Sequence, residues 1–187
     1  MKYAFYLLAL VVVTMTVASC KKKNNPVIVR SVVNTEDASS AADSTVYGVC
    51  GEATAMHTLQ LITDTGDTLS YMINDEESRG TNVQGGLLVG DRMAVVGTKI
   101  DGEMTAQTVI NLTTLVGKWT SIDKNFEIEE GGTVKSNVKA ESNPWTSWKI
   151  FDGKLLLNRD TFNINLLGAD SLYLENSKGI YTYKRTK

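Results

Sequence analysis

Histidine and cysteine, which carry out much of the acid–base and metal chemistry of proteins, are scarce in this sequence. Its 187 residues include one histidine, His57, and two cysteines, Cys20 and Cys50. One histidine excludes a metal centre built from several histidines, and a serine–histidine–acid triad would have to use His57 itself. His57 falls at the polar edge of a predicted hairpin strand, so we interpret it as a solvated residue. The sequence therefore predicts a protein that is not an enzyme and has no cofactor or metal.

An excess of positive charge is also lacking. The chain has 19 Lys and Arg against 21 Asp and Glu, a formal net charge of −2 at pH 7. Binding of nucleic acid draws on a basic surface with interleaved aromatic residues, which this composition does not supply. We expect no nucleic-acid partner. The acidic run Asp75-Glu76-Glu77 lacks the spaced oxygen ligands of a calcium loop and is interpreted as solvated charge.

A long hydrophobic run is lacking too. The apolar stretch over residues 4–18 has 15 residues, whereas a membrane-spanning helix requires roughly 20. One charge, Lys2, precedes this stretch and small residues follow it, which is the layout of a secretory signal. The residues Val17-Ala18-Ser19-Cys20 resemble the bacterial lipoprotein signal, or lipobox. An uncleaved anchor and an ordinary secretory signal are the alternatives.

The lipobox resemblance implies where in the cell the protein is located. Residues 1–19 would be removed as a signal peptide, and Cys20 would become the first mature residue and carry lipid that holds the protein in the membrane. Several acyl chains, at about 0.8 kcal/mol per buried methylene, make such an attachment effectively permanent. Lys21 occupies the position where an inner-membrane retention signal of Gram-negative lipoproteins would place aspartate. The resemblance therefore implies the outer membrane. The acidic residues that direct some lipoproteins to the cell surface are also missing here, which favours its periplasmic face.

Lipidation of Cys20 would leave Cys50 without a partner in the chain. An intrachain disulfide is then excluded even in an oxidising periplasm. Cys50 lies in the small apolar run Val46-Tyr47-Gly48-Val49-Cys50-Gly51, so we interpret it as a buried structural thiol rather than a reactive one.

The segment after the signal is mostly polar or small, and Val27-Ile28-Val29 and Val32-Val33 are its main apolar residues. These are too few to form a core, so we predict a lipid-anchored flexible tether over residues 20–44. The triplet Asp43-Ser44-Thr45 resembles the O-glycosylation sequon of some Gram-negative lineages, with Ser44 as the acceptor.

The rest of the chain alternates apolar and polar residues between short turn signals and has no helical apolar stripe, which predicts an all-β protein. In residues 45–114, three strands, a long connection over 74–90 with one helical turn, and two further strands follow the order of an OB-fold barrel. The run from Leu88 to Thr98 resembles the fourth strand of many OB-folds. Five strands are predicted, over residues 46–54, 58–63, 68–73, 92–98 and 104–112.

Residues 115–187 open with Gly117-Lys118-Trp119 and continue as a turn-rich, aromatic meander. This pattern resembles the lipocalin-like domains of exported lipoproteins, a resemblance that implies a small up-and-down barrel with Trp119 at its closed end. Strands of five or six residues make such a barrel shallow, with side chains filling most of it. Eight strands are predicted, over residues 118–122, 126–129, 133–139, 146–151, 154–159, 161–166, 171–174 and 180–184.

Two tryptophans lie three residues apart in this second block. If both stand in one strand, their side chains face opposite sides. We therefore predict Trp148 in the barrel interior and Trp145 at the rim, where an indole can hold an apolar ligand or a sugar face. The alternative is that Trp145 covers the barrel end. Together with Trp119, these two residues are the predicted ligand-binding set.

These features predict a lipid-anchored protein of the cell envelope that acts as a binding or interaction module. Its expected partners are the membrane, a small apolar or amphipathic molecule held in the C-terminal barrel, and another envelope protein. Two other classes stay open. One is a structural or assembly lipoprotein without a ligand, and the other is an envelope hydrolase with a site between the barrels.

Overall fold

The computed structural model describes residues 42–75 and 80–187. The predicted signal peptide, Cys20, residues 20–41 of the tether, and Glu76 and Glu77 lie outside the described residues. Within them the protein is all-β, with a closed five-strand barrel followed by a nearly closed eight-strand antiparallel barrel, which confirms the predicted fold class. In this part of the chain no helix has the length and apolar character needed to cross a membrane.

The first barrel has the strand connectivity expected of an OB-fold. In chain order the strands are β1 (Val46–Cys50), β2 (Thr58–Thr63), β3 (Thr68–Met72), β4 (Asn82–Gln84), β5 (Arg92–Ile100) and β6 (Glu103–Asn111). Five of them form the barrel, and the short β4 pairs, among the described strands, only with β6. β1 pairs antiparallel with both β2 and β5, and β5 pairs antiparallel with β6. A parallel pairing of Met72 in β3 with Thr105 in β6 closes the barrel. The predicted Asp101-Gly102 turn joins β5 to β6, and both residues have the positive φ, 51° and 92°, that tight hairpins require.

Two elements depart from the predicted pattern. The described part of the connection after β3 contains β4, a strand that was not predicted and that pairs parallel with β6. A one-turn helix, α1 (Leu112–Leu115), which was not predicted either, follows β6. The Asn111 side chain caps it by accepting a hydrogen bond from the Thr114 backbone N–H at 2.8 Å. Leu112 and Leu115 are both buried, so packing of these two residues stabilises the turn.

The second barrel is an up-and-down meander. Its strands are β7 (Gly117–Thr120), β8 (Asn125–Ile128), β9 (Val134–Ser136), β10 (Trp148–Phe151), β11 (Lys154–Leu157), β12 (Asp160–Leu167), β13 (Ser171–Asn176) and β14 (Gly179–Thr186). Antiparallel pairing of β14 with β7 joins the first and last strands. The remaining gap lies between β9 and β10, where a bridge between Thr133 and Ser147 and a 3.1 Å hydrogen bond from Val134 N to Thr146 O connect the edges.

The described residues, 42–75 and 80–187, belong to one compact unit. One apolar cluster fills the second barrel and includes Ala94, Ile110 and Leu112 of the first. Hydrogen bonds also cross between the barrels: the Tyr47 hydroxyl donates to Ile150 O at 2.6 Å, and the Leu167 N–H donates to Gln84 Oε1 at 2.8 Å. The two barrels therefore share core as well as polar contacts.

Candidate functional site

Trp119 lies at the end of the second barrel that faces the first. It is fully buried, and its indole N–H donates to Leu115 O at 2.9 Å. The Arg185 guanidinium lies 4.2 Å from the centre of the ring and donates to the carbonyls of Val116 and Ala169 at 2.9 and 2.6 Å. Burial lowers the pKa of Arg185. Because Trp119 is enclosed in this way, it has no surface to offer a ligand.

The interior of the second barrel is filled by its own side chains, as its short strands predict. Ten inward-facing residues are each at most 4% exposed: Phe126, Ile128, Ile150, Leu155, Leu157, Phe162, Ile164, Leu172, Leu174 and Tyr183. A ligand would therefore have to bind at an end of this barrel or outside it.

Trp145 lies at the opposite end of the barrel from Trp119 and is buried there. It is 8% exposed and packs edge-to-face against Phe126 and Phe162, with ring centres 5.1 and 5.7 Å apart. The prediction of Trp145 as an open platform is wrong. The reason is that β10 begins at Trp148, so residues 145–147 belong to the preceding loop and strand alternation does not apply to them. The alternative interpretation, in which Trp145 covers the barrel end, agrees with the structure.

A cation covers one face of Trp145. The Lys124 ammonium lies 4.1 Å from the centre of a Trp145 ring. Lys124 is held by an ion pair with Glu141, which also accepts a hydrogen bond from Ser136 Oγ. Partial burial acts to raise the pKa of Glu141, but the hydrogen bonds from Lys124 and Ser136 outweigh it and lower that pKa. This polar cluster fixes the loop that carries Trp145.

A groove of about 790 Å³ lies at this end of the barrel and will be called the mouth groove. Its wall includes Trp145, Phe162 and Tyr181, and two isoleucines line it with unusual exposure, Ile122 at 103% and Ile180 at 63%. The remaining lining residues are mostly polar or charged: Thr120, Ser121, Asp123, Lys124, Asn143, Asp160, Asn176, Lys178, Thr182, Tyr183 and Lys184.

Trp148 lies away from the mouth groove. It is partly buried against the core, and its indole N–H donates to Glu129 O at 2.7 Å. Its ring lines a second groove, of about 380 Å³, between the two barrels. Trp148 therefore packs against the barrel core on the side predicted, but part of its ring faces this groove. The structure brings none of the three tryptophans of the predicted set to a common site.

The other singled-out residues lie apart from both grooves. Cys50 is 1% exposed, which confirms a buried thiol, and its Sγ is 3.3 Å from Thr54 Oγ1. His57 is exposed, with Nδ1 4.0 Å from Asp75 Oδ2. Ser44 is exposed, and its hydroxyl donates to Asp152. Among residues 42–75 and 80–187, no group of three or more His, Cys, Asp or Glu side chains could hold a metal ion.

Sequence reasoning missed the residues that enclose the two barrel ends. Lys124 and Glu141 are 17 positions apart, and Arg185 contacts carbonyls 69 and 16 positions away. No local pattern relates such pairs. The strongest available signal is the exposed pair Ile122 and Ile180, since each interrupts a polar turn region with a bulky apolar side chain.

Comparison of the chain with protein-family models gave no match, and comparisons with curated proteins and with solved structures gave none either. The resemblances to lipoproteins and to lipocalin-like domains therefore stay predictions from the sequence.

Proposed function

We propose that this protein is a lipid-anchored component of the outer membrane whose second barrel binds a small amphipathic molecule in the mouth groove. The observation that supports the proposal is the groove itself. Its volume of about 790 Å³ lies within the roughly 300–1,000 Å³ typical of small-molecule sites. Exposed apolar side chains of the size of Ile122 and Ile180 also mark interaction sites when they share one surface.

The chemistry of the groove favours an amphipathic ligand over a wholly apolar one. Ile122, Ile180 and Tyr181 offer apolar contact for the ligand body. Lys178 and Lys184 are exposed and line the same groove, as do the exposed Asp123 and Asp160, so the polar end of a ligand meets charges of both signs. Because the barrel interior is filled, the ligand lies across the barrel end.

The binding proposal is tested with dodecanoate as the probe. Dodecanoate is added stepwise to the Cys20→Ser chain, which lacks the proposed lipid attachment residue, while tryptophan fluorescence is recorded. We expect saturable quenching, weakened at least tenfold by Ile122→Asp with Ile180→Asp. The control is Ile62→Asp, which changes an isoleucine that is 44% exposed on β2 of the first barrel. Absence of a saturable response in the parent chain would contradict the proposal.

The location in the outer membrane is proposed from the lipobox resemblance alone. Cys20→Ser should move the protein from the membrane fraction to the soluble fraction and abolish labelling with radioactive palmitate. Protease added to intact cells should leave the parent protein uncut if it faces the periplasm. Retention of the Cys20→Ser chain in membranes would show that Cys20 is not the anchor.

A structural or assembly role is the second candidate, and the filled interior of the second barrel favours it. Under this proposal the exposed isoleucines of the mouth groove contact another envelope protein. The dodecanoate titration separates the candidates, because an assembly protein would give no saturable response. We propose no hydrolase activity, since the groove between the barrels contains Arg92, Glu130 and Lys149 as its only charged lining residues among those described.

A further inference from the structure

We infer that the groove between the two barrels is a second ligand site, one that takes a neutral, largely apolar small molecule. Both barrels build it: Tyr47 on β1, Arg92 on β5 and Leu112 of α1 face Glu130 and Trp148 of the second barrel. Its volume of about 380 Å³ lies in the range of known small-molecule sites, which occur preferentially where two domains meet.

The walls of this groove are apolar. Val116 supplies aliphatic surface, and Tyr47 and Trp148 supply aromatic rings, whereas Leu112 and Ile150 also line the groove but are only 7% and 1% exposed. The polar atoms of both rings are already used within the protein: the Tyr47 hydroxyl donates to Ile150 O at 2.6 Å, and the Trp148 N–H donates to Glu129 O at 2.7 Å. A molecule in the groove therefore meets ring carbons and few free donors.

The charges around the groove cancel. Arg92 is paired with Asp64 through both of its terminal nitrogens, with Nη2 to Oδ2 at 2.9 Å. The two remaining charged lining residues, Lys149 and Glu130, have opposite signs. An ionic ligand would lose its hydration without gaining an unmatched partner, so a neutral ligand is favoured.

The groove is also held open by the backbone around it. The turn over residues 130–132 forms one wall, with φ of 80° at Gly131 and 91° at Gly132. A β-carbon at position 132 would lie 3.2 Å from Trp148 O, so glycine permits the close approach of this turn to β10. The opposite wall is fixed by the Tyr47 hydrogen bond to β10. A preformed groove of this kind costs little ordering when a ligand binds.

Two probes with the same ring system test the inference. N-phenyl-1-naphthylamine is neutral, and 1-anilinonaphthalene-8-sulfonate adds one negative charge to the same scaffold. We expect the Cys20→Ser chain to bind the neutral probe saturably by calorimetry, at least tenfold more tightly than the sulfonate. Equal or tighter binding of the sulfonate would overturn the assignment of a neutral ligand.

Substitutions that fill the groove test whether the neutral probe binds there. Lys149→Trp fills the groove from β10 and should weaken binding of the neutral probe at least tenfold, and Glu130→Trp should do so from the opposite wall. The matched control is Lys154→Trp, at an exposed position of the neighbouring β11, which should bind like the parent. Binding that survives both groove-filling variants would overturn the inference.

The mouth-groove variant keeps this inference distinct from the proposed function. Ile122→Asp with Ile180→Asp should leave binding of the neutral probe unchanged, whatever its effect on dodecanoate. If this double variant abolishes binding of the neutral probe and Lys149→Trp does not, the probe lies in the mouth groove and the second site is absent.

Discussion

At the scale of single residues, the second barrel is closed by two buried tryptophans that are held in different ways. Trp119 is fixed by a hydrogen bond to Leu115 O and by Arg185, whereas Trp145 is fixed by edge-to-face aromatic contacts and by the Lys124–Glu141 pair. Trp148 has the smaller structural role, since it is only partly buried. Strand alternation predicts the opposite order of burial, with Trp148 in the barrel interior and Trp145 at the rim.

Replacing Trp145 by alanine should therefore destabilise the protein more than replacing Trp148. Loss of a buried indole from the Phe126–Phe162 contact should lower the free energy of unfolding by about 3–5 kcal/mol. Trp148→Ala should lower it by about 1–2 kcal/mol, within the usual range for point substitutions. Urea denaturation of the three proteins measures both values. Equal losses would contradict the packing described for the barrel end.

The Glu141 carboxylate gives the barrel end a dependence on pH. Its pKa is lowered in the folded protein because the hydrogen bonds from Lys124 and Ser136 outweigh the effect of burial. A lowered pKa means that the charged form stabilises the fold above the ordinary carboxyl pKa, and that this contribution is lost as pH falls through the folded value. We expect Glu141→Gln to be less stable than the parent at neutral pH and the difference to shrink on acidification. A difference independent of pH between 7 and 3 would exclude this role. The control is Glu127→Gln, on a neighbouring strand.

At the scale of elements, strand positions were predictable because apolar and polar residues alternate along a strand with a period of two. The burial of β2 alternates at Leu59, Leu61 and Thr63, and the structure places this strand at the predicted residues 58–63. The elements that sequence reasoning missed are set by distant contacts. β4 has three residues in a polar connection, and α1 continues the apolar run of β6, so neither has a pattern of its own.

Gln84, at the end of β4, tests whether a distant contact stabilises this strand. Its side chain is 9% exposed, and Oε1 accepts the Leu167 N–H of the second barrel at 2.8 Å. Gln84→Leu leaves that buried N–H without its partner, so we expect a loss of about 1–3 kcal/mol in the free energy of unfolding. The control is Gln107→Leu, the same substitution at an exposed position of β6, which should change stability by less than about 0.5 kcal/mol. Matching effects of the two substitutions, measured in urea, would show that the contact with Leu167 contributes nothing.

At the scale of the whole molecule, the sequence predicts two separately folding domains, 45–114 and 115–187. The structure adds that Ala94, Ile110 and Leu112 of the first barrel belong to the apolar cluster of the second. Separation would expose these side chains to water, so each fragment should be less stable than the whole chain. Small domains bury only about 60% of the surface that the unfolded chain exposes, so their free energy of unfolding is small.

We therefore expect both fragments to give dispersed β-type NMR spectra and to unfold at lower urea concentration than residues 45–187. Mixing the fragments should restore part of the lost stability, because the shared cluster can form again between them. Disorder of both fragments beside a folded whole would show that the two barrels are one cooperative unit. Each candidate groove is built by contacts between distant elements, which is why the sequence pattern identified only Trp145 in the lining of one and Trp148 in the lining of the other.

The first and last described strands of the compact unit share one property. β1 lies between β2 and β5, and β14 lies between β13 and β7, so each is paired along both sides. A pull on residue 42 cannot peel β1 away as it would a strand at the edge of a sheet, because the hydrogen bonds on both sides must shear together. If Cys20 is the attachment point, tension between the membrane and a bound partner enters the fold through this strand. Mechanical unfolding from that end should then require high force and proceed in few steps.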